Sequence, residues 1–156
     1  MSDDPTVHLR HQADYRFEID FDEGRSPTLV TDLGPPLGQA AGPDPEKLLA
    51  GAVANCLSAS LLFALRKNGN EAPPMHTVAN LTLARNANKR LRVGRIDVEI
   101  RLGVPAASLR SLDRILATFE DFCVVTQSVR AGLPVDLRVL DSTGTLLHGG
   151  EAEPSV

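Results

Sequence analysis

The chain has 156 residues, of which 42% are hydrophobic and 23% charged, and a formal net charge of -4. Its length suits one domain, and the composition excludes a disordered chain. The mild acidity, with no run of Lys or Arg, excludes the electrostatic footprint of a nucleic-acid partner.

The opening Met-Ser-Asp-Asp-Pro lacks the positive segment and apolar run of a secretory leader, so the cytoplasm is the expected compartment. Thr6 to His11 and Tyr15 to Phe21 alternate apolar and polar residues and are predicted as strands, with a third over Thr28 to Leu33. Gly34 to Pro45 is rich in proline and glycine and forms a loop. A long helix then begins: Asp44 caps it, Pro45 fits its first position and Glu46 suits the positive end of its dipole. Arg66 and Lys67 followed by Asn68-Gly69 end it. Leu48 to Leu65 carries no charge and is just long enough to span a bilayer. Gly51, Asn55, Ser58 and Ser60 argue instead for a helix buried in protein, with no membrane partner. Because apolar residues occupy all its sides, burial all round is expected, completed by a second protomer.

Two strands follow, Thr77 to Arg85 and Leu91 to Leu102, joined by a turn at Asn86 to Lys89. Pro105 opens an amphipathic helix carrying Leu109, Leu112, Ile115 or Leu116, Phe119 and Phe122 at helical spacing. A short helix over about 123–131 and a last strand at Pro134 to Leu140 complete the order. Short turns between strands predict antiparallel pairing, and the class is α+β: antiparallel sheets around a long buried central helix. Residues 1–147 form the single predicted domain, and 148–156 a flexible, acidic tail.

Few residues offer chemistry. His8 and His11 lie three apart on a strand and face opposite sides, and neither cysteine belongs to a Cys-x-x-Cys pair, so no metal site is expected. On the residues alone, Cys56 in the long helix and Cys123 after Phe119-Glu120-Asp121-Phe122 are either packed core thiols or redox thiols. Glu46 is at least a partner of the helix dipole, and Arg25, in Glu23-Gly24-Arg25-Ser26, at least a solvated turn residue.

The segment Gly42-Pro43-Asp44-Pro45-Glu46-Lys47-Leu48-Leu49-Ala50, running on to Asn55-Cys56-Leu57, resembles the signature of the OsmC/Ohr family of osmotically inducible and organic-hydroperoxide-resistance proteins. Pro-Glu-x-Leu is followed by small residues, with Cys56 ten positions after Glu46. Cys123-Val124-Val125, before a short helix, a Gly-x-Pro turn and a strand, is similar to the family's second cysteine region, with Val124 where many members have proline. The resemblance covers about residues 15–140.

It implies an intertwined homodimer and a cysteine-based peroxidase that reduces organic hydroperoxides. Cys56 would be the attacking thiol and Cys123 its disulfide partner. Arg25, ahead of Arg16 and Arg10 as the match to the family's arginine, would favour the thiolate, and Glu46 would orient the guanidinium. A dithiol reductant, lipoyl-type in the family, would reset the pair. No metal, flavin or haem cofactor is implied. A noncatalytic binder of apolar small molecules on the same scaffold and a purely structural dimer with inert thiols are the alternatives. On an α-helix, Glu46 and Cys56 are about 15 Å apart along the axis and about 80° around it, so a dimer with antiparallel helices would share each site between protomers.

Overall fold

The alternation over Leu91–Leu102 builds one wall of the core. In the computed structural model, which describes residues 4–150, Ile96, Val98, Ile100 and Leu102 of strand β5 (Leu91–Leu102) are all buried on one face. The antiparallel strand β4 (Met75–Arg85) pairs with β5 so that Thr77 lies opposite Ile100 and Ala79 opposite Val98. Strand β6 (Val135–Leu140) adds Val135, Leu137 and Val139 to the same face, and β7 (Leu146–His148) completes the order β4-β5-β6-β7. The opposite face is polar. Arg95 pairs with Asp97 and Asp136, and Glu99 with Arg101 and Arg138, as befits a sheet wet on one side.

Two departures from the sequence expectation concern this sheet. β5 and β6 run parallel, because the chain between them crosses over through two helices, α2 (Leu112–Thr118) and α3 (Val124–Arg130), rather than a tight turn. The fold is thus α+β with one antiparallel and one mixed sheet. His148, assigned to the tail, instead ends β7 opposite Val139; residues 151–156 of the predicted tail lie outside the described residues.

The chain divides into two compact units, Met1–Leu49 and Ala50–Val156. In the first, β1 (His8–Ala13), β2 (Arg16–Asp20) and β3 (Leu29–Thr31) form an antiparallel sheet in chain order. The buried Asp32 carboxylate accepts the N–H groups of Leu33, Gln39 and Ala41 and so folds the Pro- and Gly-rich loop around itself. Gly42 permits a close passage there, since a Cβ would lie 1.9 Å from the Val30 carbonyl oxygen.

Helix α1 (Pro45–Lys67) runs unbroken. Asp44 caps it as predicted, accepting the Lys47 N–H at 2.9 Å, and Gly69 ends it at φ 77°. By length and composition it could cross a bilayer. Its buried stripe, Ala50, Val53, Leu57, Leu61 and Leu65, has the spacing of a core helix, and the Ser58 hydroxyl meets Thr77 on the inner face of β4 at 2.7 Å. One chain does not bury the helix all round: Gly51, Ala52, Asn55, Ala59 and Phe63 are exposed.

The amphipathic helix predicted from Pro105 is broken. A 3-10 turn at Ala106–Ser108 gives way to extended backbone at Leu109, and Ser111 takes φ 55° before α2 begins. Tertiary hydrogen bonds override the periodicity. Asp141 accepts the Ala106 N–H at 3.0 Å, and Asn70 brackets the backbone of Arg110, accepting its N–H at 2.7 Å and donating to its carbonyl at 3.0 Å.

Asp141 also accepts the Thr143 hydroxyl and the N–H groups of Thr143 and Thr145. The Thr143 hydroxyl and then the backbone N–H groups hold its pKa down at about 2, against a burial penalty. A depressed carboxylate stabilises the fold fully above its ordinary value of 3.8, and that contribution is lost as pH falls from there toward about 2. The melting temperature is therefore expected to drop across this window, and Asp141→Asn to lower it above the window and flatten its fall within it. Thermal melts at stepped pH check both; identical profiles for the two proteins would remove Asp141 from the account.

Candidate functional site

Cys56 lies on α1 one residue before the fully buried Leu57, so its side chain is half-buried at the border of the helix's buried stripe. Cys123 is fully buried, between a 3-10 turn at Phe119–Phe122 and α3. The two thiols are in hydrogen-bond contact. The structure therefore brings together the two cysteines that sequence reasoning singled out.

Their surroundings polarise them in opposite directions. Burial alone would raise the Cys56 pKa. Hydrogen bonds to its sulfur from Cys123, from the N–H groups of Val125 and Thr126, and from the Ser60 hydroxyl outweigh burial and leave it below the ordinary cysteine value. Cys123 is pushed up, first by burial and then by Cys56 itself. Its Sγ lies 2.9 Å from Thr126 Oγ1, which accepts the S–H or, by turning its hydroxyl, donates to the sulfur. Of the pair, Cys56 is the more readily ionised thiol and Cys123 the less.

Cys56 opens into a groove of about 860 Å³ lined by Ser60, Phe63, Arg114, Phe119 and Phe122 among others. Aromatic and aliphatic walls with few polar groups suit an apolar organic molecule. Cys123 has no exposed surface and does not line the groove.

The other two predicted residues belong to the first unit. Glu46 is half-buried in the first turn of α1, ten residues before Cys56 on the same unbroken helix. Arg25 is exposed, and its Nε donates to the Asp22 carbonyl at 3.0 Å within its own turn. Arg16 lies 3.9 Å from the Asp32 carboxylate, and Arg10 pairs with Glu18 and Asp20.

Sequence reasoning missed Ser60 and Thr126. Ser60 follows Cys56 by one helical turn, a spacing that could have flagged it. Thr126 has a weaker signal, a hydroxyl in the first turn of a short apolar helix, three residues after a cysteine.

The OsmC-like protein family model matches residues 38–138, about two thirds of the chain. No curated protein matches it. Among solved structures, the fold is similar to an OsmC-like protein of unknown function from Vibrio cholerae O1 biovar eltor, at TM-score 0.70 and 16% identity, over 88% of this chain and 99% of that one. It is also similar to the organic hydroperoxide resistance protein OhrB of Bacillus subtilis, at TM-score 0.63 and 18% identity, over 87% and 97%. A third is an organic hydroperoxide resistance protein, OsmC, from Legionella pneumophila, at TM-score 0.65 and 15% identity, over 89% and 98%. With its family signature at Pro45-Glu46 and Cys56, its long helix and its antiparallel and mixed sheets, the chain belongs to the OsmC-like protein family.

Proposed function

We propose that this protein is a thiol-dependent peroxidase that reduces organic hydroperoxides through the Cys56/Cys123 pair. The observation that carries this reading is the oppositely polarised contact between the thiols beside an apolar groove that Cys56 lines. The names of the Bacillus and Legionella proteins of the same fold agree with it.

The Cys56 thiolate attacks the terminal oxygen of the hydroperoxide. The O–O bond breaks, the alkoxide takes a proton and leaves as the alcohol, and Cys56 becomes a sulfenic acid. The Cys123 sulfur then attacks the Cys56 sulfur. An S–S bond forms, the S–OH bond breaks, and the hydroxyl leaves as water with the Cys123 proton. A dithiol, lipoyl-type in the family that the sequence resembles, returns both thiols by exchange and is itself oxidised to a disulfide. Such a cycle suits the reducing cytoplasm. Arg25 is the proposed cation for the thiolate, and Glu46 its orienting carboxylate.

The active species is a homodimer. Phe63, Phe122 and Val124 are 66%, 75% and 77% exposed in one chain, as is much of the outer side of α1. A second copy that covers them supplies the all-round burial that the apolar helix calls for. If α1 packs antiparallel to its copy, Glu46 of one protomer approaches Cys56 of the other.

The apolar groove alone would also serve a noncatalytic binder of small molecules, and chemistry separates the two. Cys56→Ser is expected to abolish consumption of an organic hydroperoxide. Cys123→Ser is expected to complete one turnover and leave Cys56 as a trappable sulfenic acid, seen by mass spectrometry. Full steady-state activity in Cys56→Ser would sink the peroxidase.

Alkylation by iodoacetamide is expected to modify Cys56 before Cys123, with a pH midpoint below that of an ordinary cysteine, because its folded pKa is lowered. Peptide mapping across a pH series reads both; preferential labelling of Cys123 would reverse the assigned roles.

Mixing Cys56→Ser and Glu46→Ala subunits tests the shared site. One site of a verified heterodimer carries both lesions and the other neither, so activity of about half the wild-type dimer is expected. Heterodimers as inactive as their parents would place Glu46 with its own Cys56 or outside the chemistry.

A further inference from the structure

Glu120 takes no part in the groove, yet its bonds converge on the segment that delivers Cys123. Its carboxylate accepts a hydrogen bond from Arg130 Nη2 of α3 at 2.6 Å and meets His148 Nε2 of β7 at 2.7 Å. A carboxylate only accepts, so the His148 tautomer here carries its proton on Nε2. The Glu120 carbonyl accepts the Cys123 N–H at 3.0 Å and the Gln127 side-chain N–H at 3.0 Å. Arg130 reaches on to the Val135 carbonyl through Nε at 3.1 Å, at the start of β6. The His148 ring stands edge-on to Phe119, with centroids 5.6 Å apart. Burial would raise the Glu120 pKa, but the hydrogen bonds from His148 and Arg130 more than offset it, so the group is an anion and both bonds are charge-assisted.

One side chain thus joins the 119–122 turn directly to α3 and β7, and to β6 through Arg130. The turn needs such support. It is a 3-10 segment with poorer hydrogen-bond geometry than an α-helix, and Cys123 follows it with extended backbone at φ -82° and ψ 94°. Closure of a disulfide tolerates only a narrow range of Cβ–Cβ separations, so a small displacement of Cys123 is costly.

We propose that Glu120 is a positioning residue for the second thiol: by tying the 119–122 turn to Arg130 and His148, it fixes Cys123 where its sulfur closes on Cys56. The inference rests on the reading of Cys56 and Cys123 as a redox pair, and it concerns the closing step, not the attack on peroxide.

The test is the equilibrium of closure in glutathione buffers, measured on the full chain by acid quench, alkylation and mass spectrometry. In this exchange the protein dithiol and oxidised glutathione give the protein disulfide and two reduced glutathiones, so atoms and electrons balance without peroxide. Glu120→Ala is expected to lower the closure constant about tenfold, equivalent to ~30 mV. Glu120→Gln, which can still accept one bond, and His148→Leu, which removes only the β7 arm, are each expected to lower it about threefold. In a Cys123→Ser background, Glu120→Gln is expected to change the alkylation rate of Cys56 by less than about twofold.

A closure constant within about twofold of wild type in Glu120→Ala, even with a lowered melting temperature, would make Glu120 merely structural and overturn the proposal. So would an equal fall in Cys56 alkylation, the sign of general loosening. If Glu120→Ala does not fold, Glu120→Gln and His148→Leu decide: unchanged constants in both overturn it. A wild-type protein that closes the disulfide but consumes no hydroperoxide would end the peroxidase reading and leave the positioning role to stand or fall on these constants. A wild-type protein that forms no Cys56–Cys123 disulfide ends both.

Discussion

The chemistry of the thiol pair depends on where α3 begins. The first N–H groups of a helix have no partner within it, and those of Val125 and Thr126 turn to the Cys56 sulfur instead. They can do so because α3 starts at Val124, with Cys123 as its N-cap residue. An ordinary N-cap side chain would keep such N–H groups to itself, whereas here the Thr126 N–H serves both sulfurs. The Cys123 sulfur is engaged with Thr126 Oγ1 and Cys56 and shares the Thr126 N–H with the other thiol, to which the Val125 N–H also turns. A start one residue earlier or later would rotate those N–H groups by about 100° and leave Cys56 only the Cys123 and Ser60 hydrogen bonds against burial.

That position is held from both sides of the pair. On the Cys56 side, α1 is seated on the sheet by its Leu57–Leu61–Leu65 stripe and by the Ser58–Thr77 hydrogen bond, two residues beyond the thiol. On the Cys123 side, the chain arrives from β5 through a segment with little regular structure. Asp141 and Asn70 pin its backbone at Ala106 and Arg110 before α2 carries it toward the groove. Asn70 is also bonded to the Leu65 carbonyl at the end of α1, so the same residue that finishes one helix sets the approach to the next. The parallel β5–β6 pairing follows from the same route, since a crossover long enough to hold α2 and α3 returns the chain to the sheet in the same direction as it left.

Much of this was legible in the sequence where local chemistry and tertiary structure agree. Asp44, Pro45 and Gly69 bound α1 as their capping preferences predict, and the alternation of β5 survives as one buried face. The failures lie where a distant group outbids the local pattern. Leu109 and Leu112 have helical spacing, but Asn70 claims the backbone between them at Arg110, and Asp141 the backbone before them at Ala106. β7 is only three residues long and has no alternation to display; His148 is held there by Glu120, 28 residues away. The two thiols were legible through the family signature and its second cysteine region. Ser60, Thr126 and the N–H groups of Val125 and Thr126 were not, because backbone donors leave no mark in a sequence.

The unequal protonation of the pair has a consequence for the order of events in the proposed cycle. Part of what holds the Cys123 proton in place is the Cys56 sulfur, through its hydrogen bond and its charge. Once Cys56 has become a neutral sulfenic acid, that charge is gone, and the second thiol ionises more readily. The nucleophile for the closing step is thus released by completion of the first step, with no group outside the pair needed to time it. Before that step, Cys123 is protonated and shielded from the groove, so an oxidant that enters meets the half-exposed Cys56 first. Burial therefore works in both thiols at once: it is overcome at Cys56 by four hydrogen bonds and left to act at Cys123 until the charge beside it disappears.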